Sequence, residues 1–139
     1  MILVDTSVWI ELLAGRVSLP AEPGLEQFAT CGPIVQEVLQ GLRPSRESEL
    51  FADGFLSIPK LSDPIPSGLF VQAAEIYREG RRRGYTIRSS VDCLIAVIAI
   101  VNKVPVWHRD RDFTFIARYS PLRAFELPGP RPTGRTPNK

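Results

Sequence analysis

Short apolar runs alternate along this chain with longer stretches of helical periodicity. Met1 to Val4 is an unbroken apolar run and reads as a strand buried on both faces. Thr6 and Ser7 then predict a helix to about Leu13, stopped by Gly15. Pro20 to Gln27 reads as a short helix, and Phe28 to Cys31 as a second strand. Pro33 sits in the first turn of a helix from Ile34 to Leu42. Ser45 caps a helix from Arg46 to Phe55, and Leu56 to Leu61 reads as a weak strand.

The second half repeats the alternation. Pro66 and Ser67 open a long helix to about Arg83, ended by Gly84. Its stripe of Leu69, Phe70, Ala73, Ala74, Ile76 and Tyr77 has helical spacing. Ser89 and Ser90 cap a very apolar helix from Val91 to Asn102. Val104 to Trp107 is a strand, Asp112 to Arg118 a helix and Leu122 to Leu127 a last strand. Strands alternating with helices predict an α/β fold. The expected architecture has three layers, with a central, mainly parallel sheet of about five strands flanked by helices. Residues 1–127 make one domain, and the Pro- and Gly-rich segment 128–139 is expected to be a disordered tail.

Carboxylates stand at the ends of these core elements. Asp5 ends the first strand, Asp92 opens the apolar helix, and Asp110 and Asp112 follow the Val104–Trp107 run. In parallel sheets, sites form at the carboxyl ends of strands. Glu37 lies at the border of the apolar face made by Ile34, Val35, Val38, Leu39 and Leu42, with Gly41 one turn later. Each aspartate alone also suits a helix cap or a first turn. Together they pose a repulsion problem, because like charges held close cannot all stay ionised. A hard divalent cation, Mg²⁺ or Mn²⁺, resolves it through oxygen ligands. That chemistry points to phosphates.

Charge and composition narrow the picture further. The net charge of +2 is too small for a general nucleic-acid sponge. Fourteen of the seventeen basic residues are Arg, whose planar fork suits phosphate. Cys31 and Cys93 show no metal-type spacing and read as buried free thiols. The longest apolar run, Leu94 to Val101, is too short to span a bilayer, and no signal peptide precedes Asp5. The expectation is a soluble cytoplasmic protein.

Four motifs, in order, resemble those of PIN-domain ribonucleases. Met1-Ile2-Leu3-Val4-Asp5-Thr6-Ser7-Val8-Trp9-Ile10 looks like their opening, and Gln36-Glu37-Val38-Leu39-Gln40-Gly41 like their second motif. Asp92-Cys93-Leu94-Ile95-Ala96 is similar to the third, and His108-Arg109-Asp110-Arg111-Asp112-Phe113 with Ile116-Ala117 to the fourth. The similar subgroup is the VapC toxins of bacterial toxin–antitoxin pairs, single PIN domains of this size. Many relatives carry Thr or Ser where His108 stands.

The resemblance implies a Mg²⁺- or Mn²⁺-dependent endoribonuclease cutting tRNA or rRNA. It implies Asp5, Glu37, Asp92 and Asp110 as catalytic carboxylates. Asp5, Asp92 and Asp110 would hold metal, with Asp112 in support. Thr6 and Ser7 would hydrogen-bond a ligand, and His108 would orient Asp110 or meet a phosphate. Arg88, Arg109 and Arg111, with Arg81 to Arg83, are candidates for the RNA backbone. The implied partners are a cognate antitoxin protein, the RNA substrate and a second copy in a homodimer, building a higher toxin–antitoxin complex; no membrane is involved. Other classes fit less well. A receiver-type signalling domain wants paired acids after the first strand and a late lysine, and a haloacid-dehalogenase-type phosphatase wants Asp-x-Asp where Asp5-Thr6-Ser7 stands. A non-catalytic RNA-binding module has no need of four acids.

Overall fold

The apolar run Ile2-Leu3-Val4 forms strand β1 (Ile2–Val4), buried along its whole length. A strand enclosed on both faces needs parallel neighbours and helices above and below. The computed structural model supplies both, and it describes residues 1–18 and 24–127. The elements follow in order: α1 (Thr6–Leu13), β2 (Phe28–Ala29), α2 (Gly32–Gln40), α3 (Arg46–Leu56), α4 (Ser67–Arg82), α5 (Ser90–Asn102), β3 (Val106–His108), α6 (Arg111–Ala117) and β4 (Ala124–Glu126). A single 3₁₀ turn, Leu25–Gln27, precedes β2.

Among the described residues the sheet has four strands in the order β2-β1-β3-β4, every pair parallel. The expectation of about five strands is corrected at one place. The Leu56–Leu61 segment is not a strand, because α3 runs through Leu56 and consumes its start. What remains is a lone parallel bridge between Thr30 and Lys60. The amide of Thr30 donates to the Pro59 carbonyl at 2.9 Å, and that of Leu61 to the Thr30 carbonyl at 2.8 Å. The first part of the Pro20–Gln27 expectation, and the tail 128–139, lie outside the described residues.

The sheet order places the site. The chain leaves β1 for β2 on one side and returns to β3 on the other, so the strand order reverses between β1 and β3. That switch point opens a crevice at the carboxyl ends of the two strands. Asp5 follows β1 there, its amide donating to the Trp107 carbonyl of β3 at 2.9 Å. Helix α5 is buried from Asp92 to Ala99 and forms the core of one layer. A helix apolar on all sides must be covered on all sides, and α4 is its main neighbour. Beside α1, Trp9 meets Phe28, Phe51 and Phe55 edge-on at centroid distances of 6.0, 5.8 and 5.2 Å. Such pairs add about 0.5–1.5 kcal/mol each beyond burial. Cys31 and Cys93 are buried and free, as expected.

Candidate functional site

Asp5 is the N-cap of α1, with extended backbone. Its Oδ2 accepts the Ser7 amide at 3.0 Å and the Ser7 hydroxyl at 2.5 Å. Burial raises its pKa above the usual carboxylate range. The two Ser7 bonds offset part of that rise, and the charges of Glu37 and Asp110 add to it. Thr6, next in the chain, donates its hydroxyl to Glu37 Oε1 at 2.8 Å. One turn of α1 thus holds the carboxylates of two motifs.

Asp92 stands in the first turn of α5 and is 6% exposed. Its Oδ2 is enclosed and meets no hydrogen-bond partner among the described residues. Its pKa is pushed up to about 10, first by burial, then by hydrogen bonding to Asp110 and by the charges of Asp110 and Asp5. Asp110 caps α6, and its Oδ1 accepts the Asp112 amide at 2.9 Å. Asp112 is 1% exposed and faces the turn that leads into α5. Its carboxylate accepts the Arg88 amide at 3.1 Å and the Ser89 amide at 3.0 Å. One oxygen each from Asp92, Asp110 and Asp112 lie within 4.8 Å of one another.

Those observations fit a hard cation. The donors are all carboxylate oxygens, the type Mg²⁺ and Mn²⁺ take. A buried carboxylate oxygen without a donor is costly unless a proton or a cation meets it. Asp92 Oδ2 is such an atom.

The remaining expected residues sit around this cluster. His108 is buried, and its Nδ1 accepts the Asp110 amide at 3.1 Å, so it fixes the backbone of the fourth motif. Burial lowers its pKa and keeps the ring neutral, while Glu126 and Asp110 oppose that shift. The Ser7 hydroxyl accepts the Arg109 amide at 2.9 Å and joins the ends of β1 and β3. The Arg109 guanidinium is paired with Glu11 at 2.9 Å. Arg111 is exposed and makes no ion pair among the described residues. Arg88 is exposed on the turn that Asp112 holds. Arg82 and Arg83 pair with Glu79 at the end of α4.

Sequence reasoning missed Glu11. It is 8% exposed and holds both Arg16 and Arg109, and these cations lower its pKa, the Arg16 hydrogen bond first. No local pattern in the sequence signals these pairings, which depend on the loops that the fold brings to Glu11.

Comparison with known proteins identifies a family and a shared fold. The sequence matches the PIN domain family over residues 2–119. It is 38% identical over 133 aligned positions to the VapC ribonuclease Mb1587 of Mycobacterium bovis, an alignment covering 89% of this chain and 97% of the relative. The same figures hold for the ribonuclease VapC11 of Mycobacterium tuberculosis, again 38% over 133 positions. Among solved structures, a chain of VapBC-1 from nontypeable Haemophilus influenzae superposes with a TM-score of 0.66 at 15% identity, covering 91% of this chain and 98% of that one. A chain of FitAcB from Neisseria gonorrhoeae gives 0.62 at 21% identity, covering 90% and 96%. At such identities these two share the fold.

Proposed function

This chain belongs to the PIN-domain family, among the VapC ribonucleases, and on that premise we propose that it is a divalent-metal-dependent endoribonuclease acting as the toxin of a toxin–antitoxin pair. Residues 1–127 act as one PIN domain. The observation that carries the reading is the gathering of Asp92, Asp110 and Asp112 around a carboxylate oxygen that meets no donor, beside Asp5 and Glu37.

Asp92 and Asp110, with Asp112 in support and Asp5 beside them, would hold Mg²⁺, for which Mn²⁺ would substitute. When bound, the ion lowers the pKa of water and offsets charge building on the phosphate. The chain's own residues supply the order. Ser7 fixes Asp5, and Thr6 occupies one oxygen of Glu37, leaving the other to orient or deprotonate the attacking water. Asp112 anchors the turn before α5, so that Asp92 is presented at a fixed height. His108, kept neutral by burial, holds the Asp110 amide and adds no charge of its own. Water's oxygen would join phosphorus as the P–O bond to the leaving ribose oxygen breaks, the water's proton passing to Glu37 and on to solvent and the leaving oxygen taking a proton from solvent.

The substrate is RNA, of the tRNA or rRNA class, and the partner is a cognate antitoxin encoded beside the toxin. The chain works in the cytoplasm; no helix among the described residues is long and apolar enough to cross a membrane. An antitoxin segment has an apolar seat where Trp9, Leu25, Phe51 and Phe55 line a groove beside α3. Leu50, 58% exposed, extends the apolar face of that helix. A homodimer, joined into a higher complex by the antitoxin, completes the reading.

Controlled expression followed by sequencing of RNA 5′ ends tests this. New ends at discrete sites are expected with the wild type, none with Glu37→Ala, and suppression on co-expression of the neighbouring gene's product. Identical ends from wild type and Glu37→Ala would overturn it.

A further inference from the structure

Glu11 stands buried in the last turn of α1, where three effects work against it. Burial strips water from the carboxylate. The negative end of the helix dipole opposes its charge. Two long side chains, Arg16 and Arg109, must also be held still to meet it. Apolar side chains would fill the same space with none of these penalties. What the carboxylate adds is a fixed place for Arg109.

Arg109 lies between the end of β3 and Asp110, the cap of α6. It grips α1 at two points. Its amide donates to the Ser7 hydroxyl at 2.9 Å, and its guanidinium meets Glu11 Oε1 at 2.9 Å. Ser7 and Glu11 are four residues apart and so share one face of the helix. One bond would leave the strand end free to pivot, whereas two, a helical turn apart, fix its direction as well. Ser7 also holds Asp5. The place of Asp110 relative to Asp5 is therefore set by how Arg109 sits on α1.

That grip works against a load. Burial raises the pKa of Asp5 and the charge of Asp110 adds to the rise, so the two carboxylates repel when both are ionised. The repulsion pushes the end of β3 away from α1, and the attraction between Glu11 and Arg109 opposes it. Arg16 holds Glu11 in turn, with Nε on Oε1 at 2.8 Å and Nη2 on Oε2 at 3.2 Å. Gly15, at φ 74°, turns the chain back for this, and the Arg16 amide donates to the Glu11 carbonyl at 3.1 Å.

We propose that Glu11 is a positioning residue for the metal-dependent reaction, acting through Arg109 to hold Asp110 in place beside Asp5; the proposal rests on the ribonuclease reading above. Groups that orient metal ligands without touching the ion change metal affinity or rate by about 10–100-fold when they are lost. Glu11 is buried against its two arginines, so its loss alters the metal centre rather than the affinity for substrate.

Mn²⁺ binding to the full chain, read by isothermal titration calorimetry, tests this, with Mn²⁺-dependent cleavage of a mixed-sequence single-stranded oligoribonucleotide followed in parallel. Glu11→Gln keeps the shape and removes the charge. It should weaken Mn²⁺ binding and lower kcat by about tenfold each, with KM for the RNA as in the wild type. Arg109→Ala should weaken Mn²⁺ binding to the same degree and the double variant no further, since one link is lost in all three. Asn102→Ala loses bonds to Ser62 and Ile98 at the other end of α5 from Asp92. It should be less stable yet bind Mn²⁺ as the wild type does. Unchanged Mn²⁺ affinity in Glu11→Gln would overturn the proposal, as would a rise in KM with kcat intact, which would make the pair a substrate contact. An equal loss of Mn²⁺ affinity in Asn102→Ala would also overturn it, reducing Glu11 to a stabilising ion pair. In each case Mn²⁺-dependent cleavage by the wild type leaves the ribonuclease reading standing. A wild type that neither binds Mn²⁺ nor cuts RNA would overturn both.

Discussion

The amide of Arg109 donates to the Ser7 hydroxyl at 2.9 Å, across 102 residues of sequence. The same hydroxyl donates to Asp5, so one serine fixes the Asp5 carboxylate and ties it to the strand end that carries Asp110. Ser7→Ala leaves the Arg109 amide without this acceptor and Asp5 without its shortest bond. Stability should fall by about 1–3 kcal/mol, read from urea denaturation. Cleavage should fall less than in Asp5→Ala, because the carboxylate remains. Wild-type stability in Ser7→Ala would mean that the bridge does not matter.

The two aspartates of the fourth motif should separate by stability. Asp112→Ala removes the acceptor of the Arg88 and Ser89 amides and should cost about 2 kcal/mol or more. Asp110→Ala removes a helix cap, worth about 1 kcal/mol. Cleavage should vanish in Asp110→Ala. Thermal unfolding of the two variants side by side checks the order, and an Asp110→Ala chain that is the less stable one reverses the assignment.

Asp92 makes the metal-free protein sensitive to pH. Its folded pKa, about 10, is far above that of the unfolded chain. The folded state therefore holds a proton that the unfolded state releases, and stability from this group is present below about pH 4. It is lost progressively as pH rises toward 10. Asp92→Asn cannot ionise, so in EDTA its stability advantage over the wild type should grow with pH across that window. Denaturation midpoints at several pH values measure the difference, and a pH-independent difference would remove Asp92 from the buried cluster.

Gly80 lies where α4 meets Tyr119. A Cβ there would stand 2.6 Å from the Tyr119 hydroxyl, which donates to the Ile76 carbonyl at 2.8 Å. The ring is stacked on Tyr85 and has little room to yield. Gly80→Ala should therefore destabilise by about 1–3 kcal/mol despite its better helix propensity. Tyr119→Phe in the same chain should recover part of that loss, as the melting temperatures of the single and double variants would reveal.

Much of this was legible in the sequence, for identifiable reasons. The β1 run is apolar without interruption, and α1 begins and ends where Thr6 and Gly15 place it. Asp5, Asp92 and Asp110 could be read because each adjoins a core element whose end is sharply marked. The Leu56–Leu61 segment misled because its composition suits a strand, whereas the α3 helix had already taken its first residue. Glu11 with Arg109, and Asp112 with the Arg88 turn, were not legible. Those bonds depend on which loops the sheet order brings together, and no local pattern encodes that.

The most direct test of the account is RNA cleavage by the purified chain with and without divalent metal, compared with Asp5→Asn and Asp92→Asn. Cleavage should require Mg²⁺ or Mn²⁺, stop in EDTA and be absent from both variants. The losses in the double variant should not add, because both carboxylates serve one centre. Cleavage that persists in EDTA, or at wild-type rate in Asp92→Asn, would contradict the account at its centre.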